Sequence, residues 1–195
     1  MIQEARIRSN QPLCADTFRM ELICDSSEVQ PGQFVQVQVP EFFLRRPISI
    51  CEKTDDGIVL IYKVVGQGTK KMSEMQDQTI NIFGPLGTGF PIEQKDHVVL
   101  IGGGVGVPPL YETAKQYLNQ GTKVDVVLGF NSKEQAFYIY EFQTLGCSVS
   151  VATMDGSLGT KGTVIDAIQE KKISVDFLEA CGPLPMLKAL QNTYD

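Results

Sequence analysis

Gly102-Gly103-Gly104-Val105-Gly106-Val107-Pro108-Pro109 is the stretch best suited to holding a phosphate. It follows the apolar run Val98–Ile101 and precedes a helical pattern. Its backbone can therefore approach a ligand closely and turn free N–H groups toward an anion. Pro108 or Pro109 suits the first helical turn. The usual dinucleotide fingerprint has a third glycine where Val107 stands, and a carboxylate roughly 20 positions on, at the end of the next strand. Here that strand ends Gly129-Phe130-Asn131, with no carboxylate. A plain strand-to-helix turn is the alternative, but four glycines in five positions cost more backbone entropy than such a turn requires.

A second segment, Cys181-Gly182-Pro183-Leu184-Pro185-Met186, ends the last apolar β-run, at the sheet edge where open α/β folds bind ligands. Its thiol could be a nucleophile, but the only histidine, His97, is expected at the opposite edge. Cys181 is read instead as packing against a bound ring, with a purely structural thiol as the alternative. Two further segments belong to the first half of the chain. Arg45-Arg46-Pro47-Ile48-Ser49-Ile50 offers a planar guanidinium fork for phosphate on a strand that Pro47 marks as edge or bulged. Alternation puts Arg46 and Ile48 on one face, Pro47 and Ser49 on the other. Ile61-Tyr62-Lys63 leads to Gly66-Gln67-Gly68-Thr69, after which Lys70–Met75 reads as a short helix capped by Thr69. With Lys70 and Lys71 beside it, that helix start is a second anion site. The pair of sites implies two nucleotides meeting at a domain junction.

These residues need two kinds of scaffold. From Ile2 to about Phe90 short β-rich runs alternate with turns: Ile2–Arg8, Thr17–Ile23, Gln33–Val39, Arg46–Cys51, Ile58–Val65 and Thr79–Phe83. They predict a six-stranded antiparallel β-barrel. After Pro91, apolar runs Val98–Ile101, Val124–Phe130, Val149–Thr153 and Phe177–Ala180 alternate with helical patterns Leu110–Leu118, Val164–Ile168 and Met186–Leu190. That rhythm predicts an α/β doubly wound parallel sheet. The boundary falls between Phe90 and Gln94, giving domains 1–92 and 93–195.

Composition limits the classes. Seventeen basic against 23 acidic residues give −6, which recommends neither nucleic acid nor an anionic membrane as partner. No apolar run approaches the roughly 18 residues of a membrane span, and the start lacks a secretory h-region, so a cytoplasmic location is expected. Cys14, Cys24, Cys51, Cys147 and Cys181 are too dispersed for zinc knuckles, redox dithiols or compact iron–sulfur motifs. No metal site is expected.

Together the motifs resemble the ferredoxin–NADP reductase superfamily, most closely the electron-transfer subunits of class B dihydroorotate dehydrogenases, over essentially the whole chain. Arg46-Pro47-Ile48-Ser49 is similar to the flavin motif of those subunits, and Ile61-Tyr62-Lys63, Gly66, Gly68 and Thr69 to their further flavin contacts. Gly103, Gly104, Val105, Gly106 and Pro108 match the pyridine-nucleotide loop, and Cys181-Gly182-Pro183 the segment near the nicotinamide. The resemblance implies that Arg46 binds the FAD pyrophosphate and Ser49 hydrogen-bonds the flavin near N5, with Ser49 and Cys181 nearest the chemistry. It implies hydride exchange between FAD and NAD(H), with electrons from an FMN-containing dihydroorotate dehydrogenase catalytic subunit in pyrimidine biosynthesis. NAD is favoured over NADP because Asn131-Ser132-Lys133-Glu134 offers one cation offset by a carboxylate. A stand-alone NAD(P)H-dependent flavin or ferredoxin reductase would share these motifs, and a non-catalytic flavin-binding module is a further alternative. Subunits of that family also carry a four-cysteine [2Fe–2S] cluster beyond the Cys-Gly-Pro helix, whose ligands this sequence does not contain.

Overall fold

The computed structural model describes residues 1–194, in two compact units, Met1–Phe90 and the chain from Pro91 on. The first is a closed antiparallel barrel of β1 (Ile2–Cys14), β2 (Thr17–Ile23), β3 (Phe34–Val37), β4 (Arg46–Thr54), β5 (Gly57–Lys63) and β6 (Thr79–Leu86), in the order β1-β2-β5-β4-β3-β6. Helix α1 (Gln67–Ser73) joins β5 to β6. Period-two alternation builds the interior: Val35 and Val37 of β3 and Val39 beyond it are buried, while Gln36 and Gln38 are only partly so. The first strand runs six residues past the expected Arg8, because register shifts let β1 bend with the barrel and stay paired with β2 to Cys14↔Thr17.

Asn10 is buried between β1, β5 and α1. Its Nδ2 donates to the carbonyls of Met72 (2.8 Å) and Met75 (3.0 Å), its Oδ1 accepts from Tyr62 Oη (2.8 Å), and its carbonyl accepts from Gln76 Nε2 (2.6 Å). The carboxyl end of α1, which the helix itself leaves with unpaired carbonyls, is thereby tied to the barrel.

The second unit is a parallel sheet in the order β10-β9-β8-β7-β11, with β7 (His97–Gly103), β8 (Lys123–Phe130), β9 (Ser148–Thr153), β10 (Thr160–Lys161) and β11 (Leu178–Cys181). Its helices are α2 (Pro109–Asn119), α3 (Ile139–Leu145), α4 (Val164–Lys171) and α5 (Leu184–Tyr194). Val98–Ile101 are fully buried, as strands covered on both faces require. Leu110, Ala114 and Tyr117 of α2 are likewise buried, with Leu118 at the margin. The two-residue β10 and the seven-residue α3 are additions to the sequence reading. The helix exists because Tyr138 enters it in the left-handed conformation (φ 64°) and buries its ring edge-on to Tyr111, a tertiary contact with no helical-period signature.

Glu179 on the edge strand β11 is buried, and its Oε1 accepts from Tyr117 Oη at 3.3 Å. The same hydroxyl lies 3.2 Å from the Pro91 carbonyl, and Glu179 Oε2 has no hydrogen-bond partner among the described residues. Burial, opposed by the Tyr117 hydrogen bond and reinforced by the Glu93 charge, pushes this carboxyl up to about 7.

Two predictions follow from these buried groups. Asn10→Ala should lower stability in a urea titration by about 3 kcal/mol, because several carbonyls and a hydroxyl lose their partner, and Tyr62→Phe by only about 1 kcal/mol. Folded Glu179 holds its proton to higher pH than the unfolded chain does. Stability should therefore fall as pH rises from about 4.5 to about 7 and flatten above. Glu179→Gln should remove that component and be the more stable form at pH 8, by on the order of 2 kcal/mol.

Candidate functional site

Pairing between β4 and β5 stops at Ile50↔Leu60. Beyond that point Arg46–Ser49 pair with β3 alone (Val37↔Arg46 to Phe34↔Ser49), and Ile61–Lys63 with β2 alone (Arg19↔Ile61 to Thr17↔Lys63). The barrel opens there into a seam. Ile50 donates its N–H to Gln33 O (2.9 Å), so by alternation Ile48 and Arg46 turn their backbone polar groups toward β3, and Pro47 and Ser49 toward the seam. Val64 donates to Asp16 O (2.8 Å), which likewise turns Tyr62 toward β2, and Ile61 and Lys63 toward the seam. Pro47, the residue without an N–H, therefore faces the gap, as the sequence reading of an edge position requires.

The candidate residues of the barrel separate accordingly. Backbone groups of Ser49, Ile61 and Lys63 line the seam without a strand partner across it. Ile48 packs against the barrel core. Tyr62, expected among the flavin contacts, has its ring buried, its hydroxyl bonded to Asn10 and its backbone paired with β2. Lys63 pairs with Asp16 at 3.1 Å.

At the end of the seam lie the β3–β4 loop and α1. Arg46 stacks its guanidinium over the Phe42 ring (5.1 Å to the centroid), donates from Nη1 to the Leu44 carbonyl, and lies against Gly68. No carboxylate pairs with it among the described residues. Gly66, not Thr69, is the N-cap of α1, and the helix is Gln67–Ser73 rather than Lys70–Met75. Thr69 sits in the first turn, where its Oγ1 accepts from the N–H groups of Val65 (3.0 Å) and Gly66 (3.2 Å). Those donors are thus spent on the turn. Lys71 is paired with Glu41, while Lys70 is exposed. Phe43, Leu44 and Val65 expose apolar surface beside Arg46 and Gly66.

In the second unit the loop after β7 and the loop after β11 interlock, since Gly102 pairs with Cys181 across the sheet. A Cβ on Gly103 would meet Met186 Sδ at 2.7 Å and Pro183 Cδ at 2.9 Å. One on Gly106 would collide with the Cys181 carbonyl and lie 2.6 Å from Gly182 N, and one on Gly182 would reach Met186 Cε at 2.5 Å. Gly102 leaves room for Val107 (2.9 Å), which is fully buried where the usual fingerprint has glycine. Most of the glycines therefore serve loop-on-loop packing. Gly104 differs: it is left-handed (φ 52°) with open space around it, and Val105 beside it is exposed.

At the helix start itself few N–H groups are free. Pro108 caps it and Pro109 opens it, neither having an N–H, and the N–H groups of Val107, Leu110 and Tyr111 donate to Gly104, Val107 and Pro108 carbonyls at 3.1 Å each.

Burial raises the Cys181 thiol, which keeps it protonated, and His97 opens β7 five residues, about 16 Å, before the Gly102 that pairs with Cys181. His97 instead bonds Asp125 at 2.7 Å. Thiol–imidazole chemistry has no geometry here. The exposed large apolar residues of this unit, Val105, Tyr140, Met154, Leu158 and Leu184, all lie beyond the carboxyl ends of strands, at the ligand-binding edge of such sheets.

Sequence reasoning missed one group on that edge. The loops after β8 and β9 meet where Lys133 N–H donates to Ser157 Oγ (2.8 Å). Ser157 in turn donates from both its hydroxyl (2.6 Å) and its N–H (2.9 Å) to Asp155 Oδ1, which holds that carboxyl below the ordinary range. Glu134 is held low by Ser132. The strand β8 ends without a carboxylate, and Asp155 stands in the next loop. Its sequence signal was Asp155-Gly156-Ser157, an Asx-type turn.

The thiols do not fit a four-cysteine cluster. Cys14, Cys24 and Cys51 belong to the barrel, Cys147 and Cys181 to the second unit, and burial pushes Cys24 and Cys147 up to about 11. Among the described residues no three His, Cys, Asp or Glu side chains converge to hold a metal, and no helix is long and apolar enough to cross a membrane.

Residues 100–192 match the model of the oxidoreductase NAD-binding domain family. The chain is 41% identical over 206 residues to the dihydroorotate dehydrogenase B (NAD(+)) electron transfer subunit of Fusobacterium nucleatum subsp. nucleatum, covering 98% of this chain and 79% of that one. The subunit of the same name from Geobacillus sp. is 49% identical over 173 residues, covering 84% and 67%. An NADH-dependent reduced ferredoxin-NADP oxidoreductase superposes with a TM-score of 0.87 at 32% identity, over 96% of this chain and 71% of that one. The flavohem-like FAD/NAD binding domain of a nitric oxide dioxygenase from Vibrio cholerae shares the fold, with a TM-score of 0.84 at 19% identity over 97% and 91%. Seam, interlocked glycine loops and sequence agree, and the chain belongs to the family of dihydroorotate dehydrogenase B (NAD(+)) electron transfer subunits.

Proposed function

We propose that this chain carries FAD in the barrel and NAD(H) on the second unit and exchanges a hydride between them. It thereby passes electrons from the FMN-containing catalytic subunit of a dihydroorotate dehydrogenase to NAD in pyrimidine biosynthesis. The observation that carries the reading is the seam: backbone groups of Ser49, Ile61 and Lys63 without a strand partner across it suit the polar edge of a flat heterocycle, and the Arg46 guanidinium, which no carboxylate neutralises among the described residues, stands at its end. The similarity to dihydroorotate dehydrogenase B (NAD(+)) electron transfer subunits supports the NAD partner and the electron-transfer role.

Bound FAD supplies a ring that accepts or donates a hydride and can release electrons singly. Arg46 holds its diphosphate with a planar fork, and the Ser49 hydroxyl, on the outward face with Pro47, hydrogen-bonds the ring near N5. Gly66, in open space, keeps the approach to Arg46 clear, Gly68 lies against the guanidinium, and Thr69 fixes the turn. On the second unit Gly104, Val105 and Gly106 receive the pyrophosphate of NAD, backed by Gly103 and Pro108, and Cys181-Gly182-Pro183 flank the nicotinamide. Cys181 acts there as an apolar wall, its thiol kept neutral by burial. Hydride transfer asks for ring alignment and distance rather than a protein acid or base, which accounts for a site without histidine.

Asp155 and Glu134, ionised carboxylates in the loops after β9 and β8, would meet the adenosine ribose, against one Lys133. Two hydroxyls can donate to a carboxylate, whereas a 2′-phosphate is repelled by it.

The FAD-loaded chain, mixed anaerobically with NADH, should lose its oxidised-flavin absorbance within one turnover. An unchanged spectrum would refute hydride exchange. Steady-state reduction of a diffusible acceptor should be slow beside transfer in the presence of the catalytic subunit. Asp155→Ser should raise the ratio of kcat/KM for NADPH over NADH by at least about tenfold. An unaltered ratio removes Asp155 from coenzyme selection.

A further inference from the structure

Gly68 is the second residue of the seven-residue α1 and has no left-handed φ, so its backbone makes no demand for glycine. Within a helix glycine costs roughly 1 kcal/mol relative to alanine. What uses its missing side chain is Arg46: a Cβ at Gly68 would lie 2.5 Å from Nη2 and 2.7 Å from Cζ of the guanidinium. The other contacts of that group are the Phe42 ring and the Leu44 carbonyl. Three surfaces from two elements, the β3–β4 loop and α1, thus hold one cation that no carboxylate neutralises among the described residues.

We propose that Gly68 is a positioning residue whose bare Cα seats the Arg46 guanidinium flat on the first turn of α1, aimed at the diphosphate of the flavin nucleotide. This rests on the reading of the barrel as the FAD site and adds the device that orients its principal ligand. A free arginine side chain has rotamer entropy to lose on binding, and a seat settles part of that before the ligand arrives. The atoms that a Cβ would strike are the far end of a flexible side chain, so Gly68→Ala displaces Arg46 and leaves the barrel intact.

The test compares the full chain with Gly68→Ala, Arg46→Ala and the double variant, by fluorescence titration with FAD and with riboflavin, which has no diphosphate. Gly68→Ala should weaken FAD roughly tenfold or more and leave riboflavin unchanged, since a hydrogen bond to a charged group is worth about 1.5–3 kcal/mol. In the Arg46→Ala background the same substitution should have no further effect, because its route is gone. In an Arg46→Lys background its effect should shrink, since a slender ammonium avoids the new Cβ. Undiminished FAD affinity in Gly68→Ala, an equal loss in the Arg46→Ala background, or equal loss of riboflavin overturns the proposal. If Arg46→Ala itself leaves the preference for FAD over riboflavin untouched, the assignment of Arg46 to the diphosphate fails, and the seat with it.

Discussion

A barrel wall that stops pairing before its strands end is the constraint on which the first half of the molecule depends. Strand backbones carry a donor and an acceptor at every residue except proline, and a ladder satisfies them only while both strands continue. Pro47 has nothing to donate on the side that faces β5, and the ladder ends at Ile50↔Leu60, three residues short of it. Ser49, Ile61 and Lys63 then present polar backbone to a gap. The closed circuit through β1 and β6 keeps the barrel stable with this seam open, because every other neighbouring pair stays hydrogen-bonded. Tyr62 and Asn10 brace the wall from inside, which lets the gap remain polar without loosening the core.

The second unit solves a different problem, that of bringing two loops from adjacent strands into backbone contact. Parallel pairing of β7 with β11 puts Gly102 level with Cys181, so the turns that follow must cross within a few ångströms. Only glycine fits where Gly103 faces Pro183 and Met186, and where Gly106 faces the Cys181–Gly182 peptide. The interlock leaves Gly104 and Val105 as an exposed lip, and it holds the cysteine segment rigidly beside it. Rigid loops suit a reaction whose rate is set by ring-to-ring distance more than by proton transfer.

The acidic group of the coenzyme edge shows the same economy by another route. With no carboxylate at the end of β8, Asp155 arrives from the following loop and is oriented by Ser157, which also accepts the Lys133 N–H. The arrangement of this edge then depends on two loops that hold each other in place rather than on one strand terminus.

The two architectures were legible in the sequence because they are written in local periodicity: alternation for the barrel, unalternating apolar strands with helical stripes for the sheet. So was the place of three segments in that order: the glycine loop at the end of β7, the Arg46–Ser49 stretch in β4 and the Cys181 segment at the end of β11. The left-handed entry to α3 and the engaged state of Tyr62 were not legible, since each depends on a partner many positions away, Tyr111 for the one and Asn10 for the other. The same holds for the separate duties of the glycines: a sequence shows that side chains are missing, and only packed neighbours such as Met186, the Cys181 carbonyl or the Arg46 guanidinium show what occupies the space. Local backbone preference determined the elements and their order; which polar groups remain unpaired, and which cation meets them, was decided by tertiary contact, because burial and steric exclusion are properties of the assembled chain.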